Sequence, residues 1–410
     1  MGVGTICRIL AFFLLPGLAA AQEPIADSTQ ALDLKSALAI AETQNLELRA
    51  ARQQRAMALA GLTTARQLPN PTVSFYGARD TPHEGVLWDQ PIELGGKRGK
   101  RIAVAREEQR AAEIDIGVLS RQVRRRTREA FFNVLASRAQ AGQAKAALDI
   151  ASRIREIVQQ RFEAGDVAQL DVIQADVELT RSSADYESAV QLQKSADAQL
   201  AALLHRAALV PVPLAGKLEE IAAAASLEQL TATALQSNAA ILLSTQDLRT
   251  EQQRLALAKS QRIPNLDLQA GVDLNSPGEF DLGPRGQIGV TLPLFYHGQG
   301  EVALSNARIE LLRLTLQSQQ VTVSADVASA YFDYTAKFHL AKQYQERIIP
   351  QTVRLEQMAE DSYQSGKSNL LILIDAQRKL NDVQKASIDS WSAAQSSFAL
   401  LEEVVGTSLD

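Results

Sequence analysis

The sequence contains one structural plan written twice, and this duplication limits the folds that the chain can adopt. Three segments of the first half recur in the same order in the second half: LPNPTVSFYG at 68–77 with IPNLDLQAG at 263–271, QPIELGGKRGKRIAVAREE at 90–108 with LPLFYHGQGEVALSNARIE at 292–310, and RFEAGDVAQLDVIQA at 161–175 with SYQSGKSNLLILIDA at 362–376. Three landmarks at similar spacing indicate an internal repeat. We therefore predict a first repeat over 22–210, a linker over 211–225 and a second repeat over 226–410.

Residues 1–21 are predicted to be an export signal that is removed from the mature chain. Arg8 precedes an apolar run from Ile9 to Leu18, and three alanines at 19–21 offer a cleavage site. The run is too short to cross a bilayer as a helix. The only cysteine, Cys7, lies before the apolar run, so the mature chain should contain no disulfide and no lipid-anchored cysteine.

Most of each repeat is predicted to be long helices. The first helix of each repeat is expected over 33–67 and 226–261, and both stop at a Pro-Asn pair. No proline interrupts 96–160 or 300–349, and helices of 50 to 65 residues would span roughly 75–100 Å. Pro350 is expected to kink the second long helix. Such helices need neighbours along their whole length.

Each repeat also contains two segments in which apolar and polar residues alternate, which predicts strands with one apolar face. The four segments are 71–79, 85–94, 265–275 and 286–296. Each is about ten residues long, the length that a tilted strand needs to cross a bilayer. Nearby aromatic residues could anchor them at the membrane interfaces: Phe75, Tyr76, Trp88, Phe295 and Tyr296.

Four strands cannot close a barrel by themselves, because about eight is the practical minimum. An open sheet edge in hydrocarbon would leave backbone groups without hydrogen bonds, at a cost of several kcal/mol each. Two copies of the chain give eight strands with a filled interior, and three give twelve with room for water. We therefore predict an obligate homo-oligomer, most simply a trimer around a central pore. The expected fold is mainly α with a membrane β-barrel.

The duplicated plan, the export signal, the Pro-Asn pairs and the motif F-x-x-G-x-x-x-x-L-D from Phe162 to Asp171 resemble the TolC family of outer-membrane efflux channels. The segment QPIELGGKRGKR at 90–101 is similar to the branch that serves cobalt-zinc-cadmium resistance exporters. The resemblance implies a homotrimer with a twelve-stranded barrel in the outer membrane of a Gram-negative cell. Long helical hairpins would form a periplasmic α-barrel that meets a periplasmic adaptor (membrane fusion) protein and an inner-membrane pump of the resistance-nodulation-division type.

The polar faces of the predicted strands contain acidic residues that would face the pore. These lumen acids are Asp89, Glu93, Asp267 and Asp273, opposed mainly by Arg79 and Arg285. Threefold repetition would turn each acid into a ring, and rings of carboxylates favour cations. A strand face that is polar only because it meets water is the alternative.

The helical hairpins should turn at Gly165 and Gly366, which can supply the left-handed residue of a helix end. With Phe162 and Tyr363 they are candidates for contact with the adaptor, and simple capping glycines are the alternative. The resemblance implies a periplasmic gate on the helices that follow the turns. Its candidates are Asp171 and Asp375, with Ile372 where the family often has a second acid; a plain solvated helix face is the alternative for Asp375.

The other polar motifs give no sign of chemistry. RQVRRRTRE at 121–129 is interpreted as a solvated or salt-bridged helix face and not as a site for nucleic acid. GGKRGKR at 95–101 lacks the Lys-Ser/Thr of a phosphate loop. The four histidines are scattered: His83, His205, His297 and His339. We therefore predict no enzyme activity, no cofactor and no bound metal.

The leading hypothesis is a passive outer-membrane conduit of a tripartite efflux system that exports divalent heavy-metal cations. The same type of duct could serve drug efflux or type I protein secretion. An exported coiled-coil structural protein is a third class, and it would give no reason for four alternating strand segments.

Overall fold

The computed structural model describes residues 31–207, 210–221, 224–276, 278 and 280–409. The predicted export signal at 1–21 lies outside the described residues. Among the helices of the described part, none combines the length and the apolar character that a membrane span requires.

Both repeats have the predicted order of helices, strand pair, long helix and return helix. The first repeat consists of α1 Leu34–Gln44, α2 Leu46–Arg66, β1 Thr72–Gly77, β2 Glu84–Ile92, α3 Lys97–Glu163 and α4 Gln169–Leu203. The second consists of α5 Leu227–Ser237, α6 Ala239–Gln261, β3 Leu266–Ser276, β4 Phe280–Val290, α7 Gln299–Gln343, α8 Ile349–Gln364 and α9 Leu370–Val405. A π-helical turn over Tyr344–Ile348 joins α7 to α8. It lies just before Pro350, where the sequence predicted a kink. The exact limits of the two repeats stay a prediction.

The prediction of a single first helix in each repeat was wrong, because an asparagine divides it in two. Asn45 has φ −59° and ψ 126°, which takes the backbone out of the helix. Its side-chain oxygen then accepts hydrogen bonds from the N–H groups of Glu47 and Leu48 and caps α2. Asn238 does the same between α5 and α6.

The predicted limits of the fourth strand were also wrong. The strand was expected over 286–296, but β4 pairs with β3 from Ser276↔Phe280 to Leu266↔Val290. The alternation of apolar residues continues past Val290, but the partner strand β3 begins at Leu266, opposite Val290, so later residues have no strand to pair with. The strand therefore lies earlier in the chain than its pattern suggested.

The strands form one antiparallel sheet in the order β1-β2-β3-β4. The pairing of β2 with β3 joins the two repeats, from Glu84↔Leu274 to Ile92↔Leu266. In the protomer, β1 and β4 are the edges of the sheet. The paired strands are inconsistent with the coiled-coil structural protein considered above.

The long helices continue the sheet as a layer. α3 packs against α2 and α4 and against α6 and α9, while α7 packs against α6 and α9, and α8 against α9. Across the layer, α3 therefore lies between α2 and α4 on one side and α6 and α9 on the other. α7 and α8 lie beyond α6 and α9. The largest core cluster lies at mid-length around Phe131, Leu200 and Trp391. A second cluster around Tyr334 and Phe398 packs α7 on α9.

Candidate functional site

The sheet separates an apolar face from a polar face. The register places Asp89 opposite Gln269, Asp273 opposite Gly85 and Asp267 opposite Pro91, so these three acids share one face, whereas Glu84 at the start of β2 lies on the other. The opposite face is apolar and open: Phe75 is 78% exposed and Ile288 67% exposed. An exposed apolar face on a β-sheet indicates a surface that is covered by lipid or by another chain.

A polar cluster crosses the four strands on the other face. The Tyr76 hydroxyl lies over Gly85 and donates a hydrogen bond to Asp273. A Cβ on Gly85 would lie 2.5 Å from the tyrosine ring, so only glycine permits this crossing. Arg285 lies 3.7 Å from the Asp273 carboxylate, and its guanidinium is 5.8 Å from the centre of the Tyr76 ring. The charge of Asp273 is therefore balanced.

The other predicted lumen acids have different surroundings. Asp89 accepts a hydrogen bond of 2.8 Å from Gln269. Glu93 lies beyond the end of β2 and pairs with Arg101, whose Nη2 is 3.1 Å from its Oε2. Asp267 is half-buried, and no ion pair is found for it within the described part of the chain. Within the described residues Asp89 and Asp267 thus have no cation paired with them, whereas Glu93 pairs with Arg101 at the strand–helix junction.

Both hairpin turns have the geometry of left-handed helix ends. Gly165 has φ 83° and Gly366 has φ 67°. In each turn the glycine N–H closes the helix with a hydrogen bond: Gly165 N donates to the Phe162 carbonyl at 2.9 Å, and Gly366 N to the Tyr363 carbonyl at 3.1 Å. α3 and α8 therefore turn back into α4 and α9 in the same way.

The two aromatic residues beside these turns differ in exposure. Tyr363, predicted as a contact residue, is buried in a cluster with Val158, Ala175 and Leu373 that joins the two hairpins. The Arg161 guanidinium lies 5.3 Å from the centre of its ring. Phe162 is 39% exposed. Phe162 is therefore accessible to a partner, and Tyr363 stabilises the tip.

The gate candidates lie on the return helices. Asp171 is half-buried in the first turn of α4, and Asp375 is exposed on α9 with Ile372 exposed one turn earlier. Next to Asp375, Arg378 donates from Nε to the Glu178 carboxylate at 2.8 Å. This hydrogen bond, with a smaller effect of the charge of Asp375, raises the pKa of Arg378 above its ordinary value. The pair links the two hairpins, and sequence reasoning missed it because its members are 200 positions apart.

The arginine run at 121–129 is a salt-bridged helix face, as predicted, but one member is buried. Arg128 pairs with Glu402 at 2.9 Å, and the two side chains are 3% and 9% exposed. Arg126 pairs with Glu47 at the surface. Within the described residues, no group of three or more histidine, cysteine or acidic side chains is arranged to hold a metal ion.

The fold and the site define a class of protein. A sheet with one lipid-compatible face, one polar face and two open edges, continued by a layer of very long helices, is the protomer of an outer-membrane channel. The chain belongs to the outer membrane efflux protein family, whose model matches residues 37–205 and 230–407. This confirms the family that the sequence motifs indicated.

Known proteins resemble the chain over nearly its whole length. It is 24% identical over 380 residues to the cobalt-zinc-cadmium resistance protein CzcC of Cupriavidus metallidurans, covering 90% of each chain. Its fold matches the CusC structure with a TM-score of 0.76 at 17% identity, covering 98% of this chain and 100% of that one. It matches the outer membrane protein VceC of Vibrio cholerae with a TM-score of 0.74 at 17% identity, covering 92% and 97%. The family is one of efflux proteins and CusC forms a transmembrane channel; neither is an enzyme.

Proposed function

We propose that three copies of the protein form a duct through the outer membrane and periplasm, and that this duct exports divalent heavy-metal cations. The observation that carries the proposal is the likeness to CzcC over 90% of both chains. The open amphipathic sheet supplies the physical reason for a duct. The alternative cargoes of the same architecture are drugs and proteins exported by type I secretion.

The open sides of the protomer support closure by further copies. β1 and β4 have one edge each that no other strand of the sheet pairs. On the free side of α7, Leu311, Leu314 and Val321 are 62%, 65% and 72% exposed. Their spacing places them on one side of the helix, which is typical of a helix–helix interface. Three copies would give twelve strands and a periplasmic barrel of twelve helices.

Cation preference would come from the polar face of the sheet. Asp89 and Asp267 would form carboxylate rings in the pore, while Arg285 balances Asp273 in each copy. At the periplasmic end, Asp375 and Asp171 would form the gate. The exposed Phe162 beside the Gly165 turn, with its counterpart turn at Gly366, would contact a periplasmic adaptor protein coupled to an inner-membrane resistance-nodulation-division pump.

Deletion of the gene tests the cargo. We expect growth to become sensitive to cobalt, zinc, cadmium, copper or nickel salts, with restoration by the intact gene and unchanged tolerance of dyes, detergents and antibiotics. Complementation with Asp89→Asn/Asp267→Asn tests the two carboxylates. The double variant keeps the shape of the polar face and should restore metal tolerance only in part. Sensitivity to hydrophobic drugs with unchanged metal tolerance would contradict the cargo assignment.

A further inference from the structure

The junction between the sheet and the long helices carries exposed basic side chains that a duct does not require. We call these five residues the basic collar: Arg66, Arg98, Lys100, Lys259 and Arg262. They lie at the ends of α2 and α6 and in the first turn of α3. They include part of the GGKRGKR segment, for which no phosphate-loop role was found.

Direct contacts bring the segments of the collar together. The buried Lys97 donates to the Asn265 side chain at 2.6 Å, which ties the start of α3 to the start of β3. Arg98 Nε donates to the carbonyl of Arg66 at 2.9 Å. A Cβ on Gly95 would lie 2.6 Å from Ile263, so the end of α6 lies against the same turn. The five cations therefore surround one junction.

The collar has little compensating negative charge. The nearby Glu93 is already paired with Arg101. Glu301, at the start of α7, accepts a hydrogen bond from the neutral Tyr296 and is a single negative charge against five cations. Within the described parts of the chain, none of the five collar cations has a carboxylate at ion-pair distance. The junction therefore presents net positive charge.

Exposed apolar side chains lie directly beside the collar. Leu68 is 65% exposed two residues after Arg66, and Ile263 is 44% exposed next to Arg262. Leu294, Phe295 and Tyr296 are 74%, 94% and 57% exposed just before α7. Aromatic and aliphatic side chains flanked by lysine and arginine are typical of the boundary between bilayer hydrocarbon and headgroups.

We propose that the basic collar binds anionic phospholipid headgroups in the leaflet that faces the periplasm. The long helices leave the sheet at this junction, so it lies at the periplasmic end of the strands. The proposal rests on the proposed placement of the sheet in the membrane. Each basic side chain near an anionic surface contributes about a fivefold gain in affinity, so five together can select anionic over zwitterionic lipid.

Competition for lipid measures this selectivity. The purified mature chain is titrated with equal amounts of phosphatidylglycerol and phosphatidylcholine, and retained lipid is counted by native mass spectrometry. The collar variant carries Arg66→Gln, Arg98→Gln, Lys100→Gln, Lys259→Gln and Arg262→Gln. The control variant has the same charge change at exposed positions on α3, α4, α8, the α8–α9 turn and α9, respectively: Arg153→Gln, Lys194→Gln, Arg354→Gln, Lys367→Gln and Lys379→Gln. Far-ultraviolet circular dichroism checks that both variants fold.

We expect wild type and the control variant to retain more phosphatidylglycerol than phosphatidylcholine. In the collar variant the ratio of the two retained lipids should fall at least about tenfold. No preference in the wild type, or equal preference in the two variants, would overturn the proposal. Brominated phosphatidylcholine tests the placement separately. Trp88, 38% exposed on the apolar face, should be quenched, whereas Trp391, 4% exposed, should not. If Trp88 is not quenched, the membrane placement fails and the collar proposal fails with it.

Discussion

Gly271→Ala is expected to prevent the sheet from assembling. A Cβ at this position of β3 would lie 2.3 Å from the Val86 carbonyl oxygen and 3.2 Å from the Leu87 Cα, both in the backbone of β2. The two strands that join the repeats would have to separate, because backbone atoms cannot move aside as a side chain can. Overpacking typically costs about 1–3 kcal/mol, and a clash with backbone atoms belongs at the upper end of that range in each copy. The measurement is urea unfolding, together with the fraction of chain recovered as oligomer.

Gly286→Ala is the matched control for that experiment. Gly286 lies in β4 of the same sheet, and a Cβ there would meet nothing within 4 Å. We expect its free energy of unfolding to stay within about 0.5 kcal/mol of wild type. Equal oligomer yield and equal unfolding midpoints for the two alanine variants would show that the close contact between β2 and β3 does not constrain the sheet.

Arg128→Ala is expected to have a comparable effect on the helical layer. The Arg128 guanidinium pairs with Glu402 in the interior and lies 4.6 Å from the centre of the Phe398 ring. Removing the cation leaves a buried carboxylate without its ion pair, which costs about 3–5 kcal/mol. The loss weakens the contact between α3 of the first repeat and α9 of the second. Chemical denaturation of the purified protein measures it.

Two further variants separate burial from charge in this experiment. Arg126→Ala removes a surface pair with Glu47, in which the side chains are 46% and 58% exposed, and should cost no more than about 1 kcal/mol. Arg128→Met combined with Glu402→Leu replaces the buried pair by apolar side chains and should recover most of the lost stability. If Arg128→Ala destabilises no more than Arg126→Ala, the buried pair does not hold the repeats together.

Local signals in the sequence were sufficient for three of the four strands, the tips and the long helices, but not for the limits of β4. Alternation predicted β3 almost to its ends, and Gly165 and Gly366 turn the hairpins as glycines at helix ends do. The break at Asn45 also had a local signal, since asparagine is a favoured helix cap. It was missed because helix-forming residues continue on both sides.

Contacts between the two repeats could not be predicted in the same way. The pairs Arg128–Glu402 and Arg378–Glu178 join residues 274 and 200 positions apart, and any of several acids could have satisfied each arginine. Glu93 looked like a pore acid because it continues the alternation of β2. Arg101, one helical turn into α3, pairs with it instead, and only the folded junction reveals this.

The number of chains in the native particle decides whether the protein can form a duct. Native mass spectrometry of the mature protein, released from detergent, gives that number without reference to any relative. We expect three copies, because twelve strands leave a water-filled pore and three copies cover both open sides of every protomer. A stable monomer or a dimer of eight strands would contradict it, since neither provides a duct.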